Sequence, residues 1–341
     1  MGNIFENRNH IKIILIMGLM FMIIVSTLII SNMIVKWATK SDYEINFPGG
    51  DSSNNLIAAT DNSKEEKQED EGEVKKITAV IIGLDKSKNL SDVVMVVQFN
   101  PKENSLKCVS IPRDLYIDFS DYKFSSIRRS YQVNVSYCKL TEVYQNVTDK
   151  EDAVKVIQEI AEKIVGIPID YYVKVDLDGF KAIVDLVGGI EVEVPKRMVY
   201  HDQSQGLHIS LESGLQTLDG EKAEQLVRYR SGYVDGDLGR IKMQQEVLKA
   251  LCKKVLEIRN PIEIFSLVKE GYQYIETDFS LLDCMKYIEY ITGLNVSTIF
   301  QEGNMVTIPT YGEKINGLWY EMQDKDKTRE ILEELFNQKD Q

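Results

Sequence analysis

Between Leu218 and Gln244 the chain gathers Arg228, Arg230, Asp237, Arg240 and Gln244, although its formal net charge is −13. Arg228 and Arg230 are two residues apart, so on an extended segment their side chains leave from the same face. Two planar guanidiniums on one face make a fork for phosphate. After Gly232 and Gly236 the pattern becomes helical. On a wheel of about 100° per residue, Asp237, Arg240 and Gln244 fall within about 60° of one another. Leu248, Leu251, Cys252 and Val255 continue the face of Arg240 and Gln244, while Lys242, Glu246, Lys249, Lys253 and Glu257 occupy the opposite half. The first turns therefore point a charge and hydrogen-bonding groups inward, where the later turns point hydrocarbon. An inward charge is costly unless it is paired or meets a ligand. An internal Asp237–Arg240 pair, with Asp237 as helix N-cap, is one way to satisfy it. One aspartate cannot neutralise three arginines, however, and the cluster points to an anion-binding pocket.

Such a pocket needs a scaffold, and the chain past residue 76 supplies the pattern of one. ITAVIIG (Ile77–Gly83), DVVMVVQF (Asp92–Phe99) and LKCVSIP (Leu106–Pro112) are Val- and Ile-rich runs bounded by turn residues, and read as buried strands. DAVKVIQEIAEKIVG repeats apolar residues at helical spacing and stops at Gly166; YYVKVDL follows as a strand, GFKAIVDLVGG as a short helix ended by Gly188 and Gly189, and IEVEVP as a half-buried strand. Beyond Pro261 come two amphipathic helices, a strand-like MVTIPT and a final helix, KTREILEELFNQ. Strands interleaved with helices imply an α/β fold, a layered α-β-α sandwich around a central mixed sheet. Ligands in such sheets sit at strand ends. Asp85 follows the first strand, Asp92 begins the second, and Arg113 and Asp114 follow the third. If LDKSKNLSD is a hairpin-like loop, Asp85 and Asp92 leave the same sheet end and could share one hard cation. Magnesium suits few carboxylates plus phosphate oxygens and water. Taken singly, each aspartate is equally an ordinary turn residue.

From Ile13 to Val35 there is no charged residue, enough helix to cross a bilayer core of about 30 Å. No small-residue cleavage site follows, so the segment reads as an uncleaved anchor. Arg8 and Lys12 before it are nearly matched by Lys36 and Lys40 after it, and charge alone barely sets its orientation. Residues 36–76 read as a stalk. From Gly49 to Lys76 it is mostly acidic and lacks aromatic residues, which leaves too little apolar surface for a fold. Net acidity argues against nucleic acid as a partner. Cys108, Cys138, Cys252 and Cys284 form no C-x-x-C pair and read as buried thiols. His10, His201 and His208 form no i, i+4 pair, and zinc is unsupported.

IIGLD, SDVVMVV, SIPRDLYI, GIPIDYYVKVDLDGFKAIVDLVGGIEVEVP and LDGEKAEQLVRYR…DLGRIKMQQ stand in the order and spacing typical of the LytR-CpsA-Psr family, which the chain resembles from about Ile77 to Val255. The resemblance implies an extracytoplasmic domain at 77–341 on a single-pass membrane anchor, with residues 1–12 cytoplasmic. It implies a Mg²⁺-dependent phosphotransferase of Gram-positive envelopes, one that moves an anionic glycopolymer such as teichoic acid or capsule from a polyprenyl pyrophosphate carrier to peptidoglycan. By position, Asp85 and Asp92 resemble the family's magnesium-binding acids, and Arg113, Arg228 and Arg230 its pyrophosphate-binding arginines. Asp237, Arg240 and Gln244 match its remaining polar pocket residues. Arg113, Asp237 and Arg240 carry the catalytic expectation, with Asp92 and Asp237 the candidates to deprotonate the acceptor and Asp237 preferred. The chain departs from the family at Leu90 and Gln132, where positive residues are usual; Lys86, Lys88, Arg128 and Arg129 lie near in sequence. Two other readings stand beside the transferase. One is a hydrolase of the pyrophosphate lipid, the other a non-enzymatic membrane-anchored regulator or scaffold.

Overall fold

The long Val- and Ile-rich runs become the central strands because each such side chain, fully buried, contributes about 1.5–3 kcal/mol. The computed structural model describes residues 75–203, 206–229, 233, 237–258, 260–281, 283, 287, 290 and 303–337. The expected anchor at 13–35, the expected stalk up to residue 74, Arg230 and Cys284 lie outside the described residues. Among the described residues no helix is long and apolar enough to cross a membrane.

In chain order the strands are β1 (Ile77–Leu84), β2 (Ser91–Asn100), β3 (Ser105–Ile111), β4 (Tyr116–Asp118), β5 (Tyr137–Lys139), β6 (Tyr171–Val175) and β7 (Ile190–Val194). They continue as β8 (Met198–Asp202), β9 (Leu207–Leu211), β10 (Gly214–Leu218), β11 (Glu276–Thr277), β12 (Met305–Thr307), β13 (Thr310–Ile315) and β14 (Leu318–Gln323). The central sheet runs β11-β6-β1-β2-β3-β12. β2 runs antiparallel to its neighbours β1 and β3, whereas β6 runs parallel to β1 and β12 parallel to β3. The sheet is thus mixed, as the sequence pattern predicts.

Both faces are covered. Ile77, Ala79 and Ile81 of β1, with Met95, Val97 and Phe99 of β2, pack with the helices Leu177–Leu186, Gly220–Arg228, Asp237–Leu256 and Pro261–Gly271. Val80, Ile82, Val94, Val96 and Val109 point the other way, toward Lys150–Val165 and the terminal helix Lys325–Asn337. Lys150–Val165 starts where Asp149 accepts from the N–H groups of Glu151 and Asp152, and stops at Gly166 with φ 77°. A left-handed residue there is a helix terminator that glycine adopts without a Cβ penalty. The sequence reading places the middle of this sandwich and the half-buried strand β7, and omits the partner of β7, β10, and the two-stranded ribbons β4-β5, β8-β9 and β13-β14 around its edge.

Candidate functional site

Of the polar residues singled out from the sequence, Asp85, Asp92, Arg113, Arg228, Arg240 and Gln244 meet at one cavity, and a bulge brings one of them there. Gly83 pairs with Val93 and Leu84 with Ser91, leaving Asp92 as the extra residue on β2. In unbroken alternation Asp92 would share the face of Val94 and Val96. A bulge re-aims the side chain, and Asp92 instead lines a cavity with Val93 and Met95. Gly83 permits this, since a Cβ there would lie 2.9 Å from that of Val93.

Asp85 stands across the hairpin loop. Its carboxylate accepts from the N–H groups of Ser87 at 3.2 Å, Asn89 at 3.0 Å and Leu90 at 2.9 Å, and from the Ser87 hydroxyl. Burial acts to raise its pKa, but the Leu90 N–H, the Ser87 hydroxyl and the other donors outweigh it and hold the carboxyl below its ordinary value. Asp85 is therefore both a turn residue and a fixed negative charge at the cavity.

Arg113 donates from Nη1 to Asp92 Oδ1 at 2.5 Å, and its Nε lies 3.6 Å from Asp114 Oδ2. Asp114 Oδ1 accepts from Lys139 Nζ at 2.9 Å. Burial raises the Asp114 pKa, yet the Lys139 hydrogen bond and the charges of Arg113, Lys139 and Arg240 together bring it below the usual carboxylate range. Arg240 is only 2% exposed, the largest of the fully buried side chains. The acid near it is Asp114, which the sequence places after the third strand but does not assign to the site. Gln245 fastens the helix bearing Arg240 to the sheet, its Nε2 donating to Ser110 Oγ at 2.9 Å. Gln244 beside it faces the cavity.

The Arg228 expectation needs correction. Arg228 is the last residue of the helix Gly220–Arg228, not part of an extended segment, so the two-apart argument for a shared face with Arg230 does not apply to it. Its Nη1 donates instead to Glu224 Oε1 at 2.8 Å, one helical turn back. Glu224 Oε2 also lies 3.4 Å from Lys181 Nζ. Asp237 opens the helix Asp237–Leu256, with its side chain outside the described part. Arg113, Arg228 and Arg240 thus have acidic neighbours: the fold brings Asp92 to Arg113 and Asp114 near Arg240, and a single helical turn brings Glu224 to Arg228.

The cavity is about 730 Å³. Asp85, Asp92, Arg113, Arg228, Arg240 and Gln244 all line it, and Ile81, Val93, Met95, Phe180, Val247 and Leu248 give it an apolar wall. A second cavity of about 430 Å³ shares Asp85, Lys86 and Arg228 with it. Of the cations close to Leu90 and Gln132 in sequence, Lys86 lines both cavities and Lys88 pairs with Asp176 at 2.6 Å. Arg128 and Arg129 are exposed on the helix Ser125–Ser130, whose Ile127 packs on the far side of the sheet, and they line neither. Asp176, which also N-caps the helix Leu177–Leu186 by accepting from the Gly179 N–H at 2.8 Å, was missed by sequence reasoning; its D-L-D-G setting before an apolar run was the signal.

An arginine and carboxylate cluster and an apolar wall thus share one cavity of an α/β sandwich. The chain belongs to the LytR_cpsA_psr family, whose model matches residues 49–337. It is 30% identical over 213 residues to the polyisoprenyl-teichoic acid–peptidoglycan teichoic acid transferase TagV of Bacillus subtilis (strain 168), an alignment covering 62% of this chain. That match spans about half, 51%, of the relative's length. Similarity to the transferase TagU of Bacillus mycoides (strain KBAB4) is 28% over 252 residues, 72% of each chain. The crystal structure of B. subtilis TagV superposes with a TM-score of 0.60 at 26% identity, covering 78% of this chain and 99% of that one.

Proposed function

We propose that the protein transfers an anionic glycopolymer from a polyprenyl pyrophosphate carrier to peptidoglycan at the cell surface, held there by the anchor at 13–35 with its N-terminus in the cytoplasm. The observation that carries this reading is one cavity with a charged end and an apolar wall. A pyrophosphate with a hydrocarbon tail needs both.

In this reading Arg113, Arg228, Arg230 and Arg240 receive the phosphate oxygens, with Gln244 as a neutral donor beside them. Guanidiniums fixed in advance by Asp92, Asp114 and Glu224 stabilise developing charge without reorganising. The acceptor hydroxyl oxygen bonds to the glycan-side phosphorus, the bond to the carrier phosphate breaks, and polyprenyl phosphate leaves. The hydroxyl proton passes to a carboxylate. Asp92 is engaged by Arg113 at 2.5 Å, which favours Asp237 for that task. The apolar wall keeps water from competing as acceptor.

The donor set also fits Mg²⁺. Asp85 and Asp92 offer hard oxygens at one end of the cavity, and Asp85 is held ionised. Magnesium held by two carboxylates would complete its shell with phosphate oxygens and water. When bound, Mg²⁺ supplies charge neutralisation for the phosphate oxygens.

The test gives the full-length protein, in detergent, a lipid-linked glycan with and without peptidoglycan fragments. Release of polyprenyl phosphate should require the fragments, leave glycan covalently attached to them, and stop on chelation or in Asp85→Ala. Equal release without acceptor, yielding free phosphorylated glycan, would make the protein a hydrolase. Glycopolymer binding with no release under any condition would make it a scaffold.

A further inference from the structure

The β13-β14 hairpin presents an aromatic surface that the cavity does not use. Its two strands pair from Thr310↔Gln323 to Ile315↔Leu318 across an Asn316-Gly317 turn, both residues at positive φ. Strand alternation places Gly312, Lys314, Trp319, Glu321 and Gln323 on one face. On the other face Tyr320 is buried against Tyr116, their ring centroids 5.2 Å apart, which anchors the hairpin to the body.

Trp319 is 64% exposed. Its ring lies over Gly312, where an added Cβ would be 3.8 Å from Cε3 and Cζ3. The indole is thus an exposed plate backed by glycine, with Lys314 directly opposite it and Glu321 and Gln323 further along the same strand. An aromatic plate rimmed by donors and acceptors of both charges matches a pyranose ring, which pairs a C–H face with a rim of hydroxyls. A purely apolar partner would leave that polar rim unsatisfied.

The plate is tied to the site. Glu321 N–H donates to Asp114 O at 3.0 Å, and Leu115 and Glu321 form a parallel bridge. Lys139, which bonds Asp114, also lies 5.7 Å over the Tyr320 ring. The hairpin therefore adjoins Asp114, the residue that follows Arg113 of the cavity lining.

We propose that the Trp319 face of the β13-β14 hairpin binds the glycan strand of the acceptor and holds it beside the Arg113 end of the cavity. This rests on the transferase reading above. The sequence contains two tryptophans, Trp37 and Trp319, so the full-length Trp37→Phe protein in detergent reports on Trp319 alone. Its fluorescence should change saturably when titrated with peptide-free strands of alternating N-acetylglucosamine and N-acetylmuramic acid. Sedimentation with the same strands should show affinity reduced roughly tenfold in Trp319→Ala, as for an aromatic anchor, and largely retained in Trp319→Phe, whose flat ring still stacks. The acceptor KM should follow the same order. Saturation supports the platform whether or not transfer is seen, which separates it from the transferase reading. A flat titration and unchanged affinity of Trp319→Ala, in a protein that does transfer, would overturn it.

Discussion

Asp114→Asn isolates the charge that holds the polar end together. The substitution keeps the shape and one acceptor oxygen but removes the negative charge bonded to Lys139 at 2.9 Å and placed 3.6 Å from Arg113 Nε. Arg240, 2% exposed, loses its negative neighbour as well. A hydrogen bond to a charged group contributes about 1.5–3 kcal/mol. The Asp114 side chain is 24% exposed, so solvent screening argues for the lower part of that range, about 2 kcal/mol. For a domain of this size that corresponds to a fall of about 4–8 °C in Tm. The pH dependence has a definite sign. The folded carboxyl is held below its ordinary value, so its contribution is fully present above the unfolded pKa of about 3.9 and is lost as pH falls through the folded value. Parent and variant should therefore differ at neutral pH and converge in acid. Thermal melts across that range provide the assay. No difference at neutral pH, or a difference undiminished well below the unfolded pKa, would refute the reasoning.

Arg228→Lys keeps the charge but loses the planar fork, and should weaken binding of a lipid-linked pyrophosphate by roughly ten- to a hundredfold, from the loss of one charge-assisted bond. Unchanged affinity would mean that Arg228 serves only its pair with Glu224. Burial pushes the Cys138 and Cys252 thiols up to about 12, and that of Cys108 further up. Mass mapping after brief alkylation of the folded protein at mildly alkaline pH should find all three unmodified, and rapid labelling of any would contradict their burial. Protease added to intact protoplasts should cut within residues 49–76 first; protection of the whole domain would place it in the cytoplasm.

Much of the scaffold was legible because its signals are local. The uninterrupted Val and Ile runs of β1 and β2, the apolar spacing from Lys150 to Val165, and the left-handed glycines at Gly166, Gly188 and Gly189 each act within a few residues. The opposed faces of the helix Asp237–Leu256 were equally readable, since Leu248, Leu251, Cys252 and Val255 are all buried. The Asn316-Gly317 turn between β13 and β14 was a local signal too, and went unread. What the chain alone could not show is which charges meet. Asp114 reaches Lys139 across 25 positions and Gln245 reaches Ser110 across 135. Arg228 finds Glu224 only because the segment before Tyr229 is helical. Residue types and spacing establish that arginines and aspartates must be satisfied inside the fold. Their pairing, the aim of Asp92 through the bulge opposite Gly83, and the apolar wall beneath them depend on distances between elements remote in sequence, and packing of the tertiary structure sets those distances.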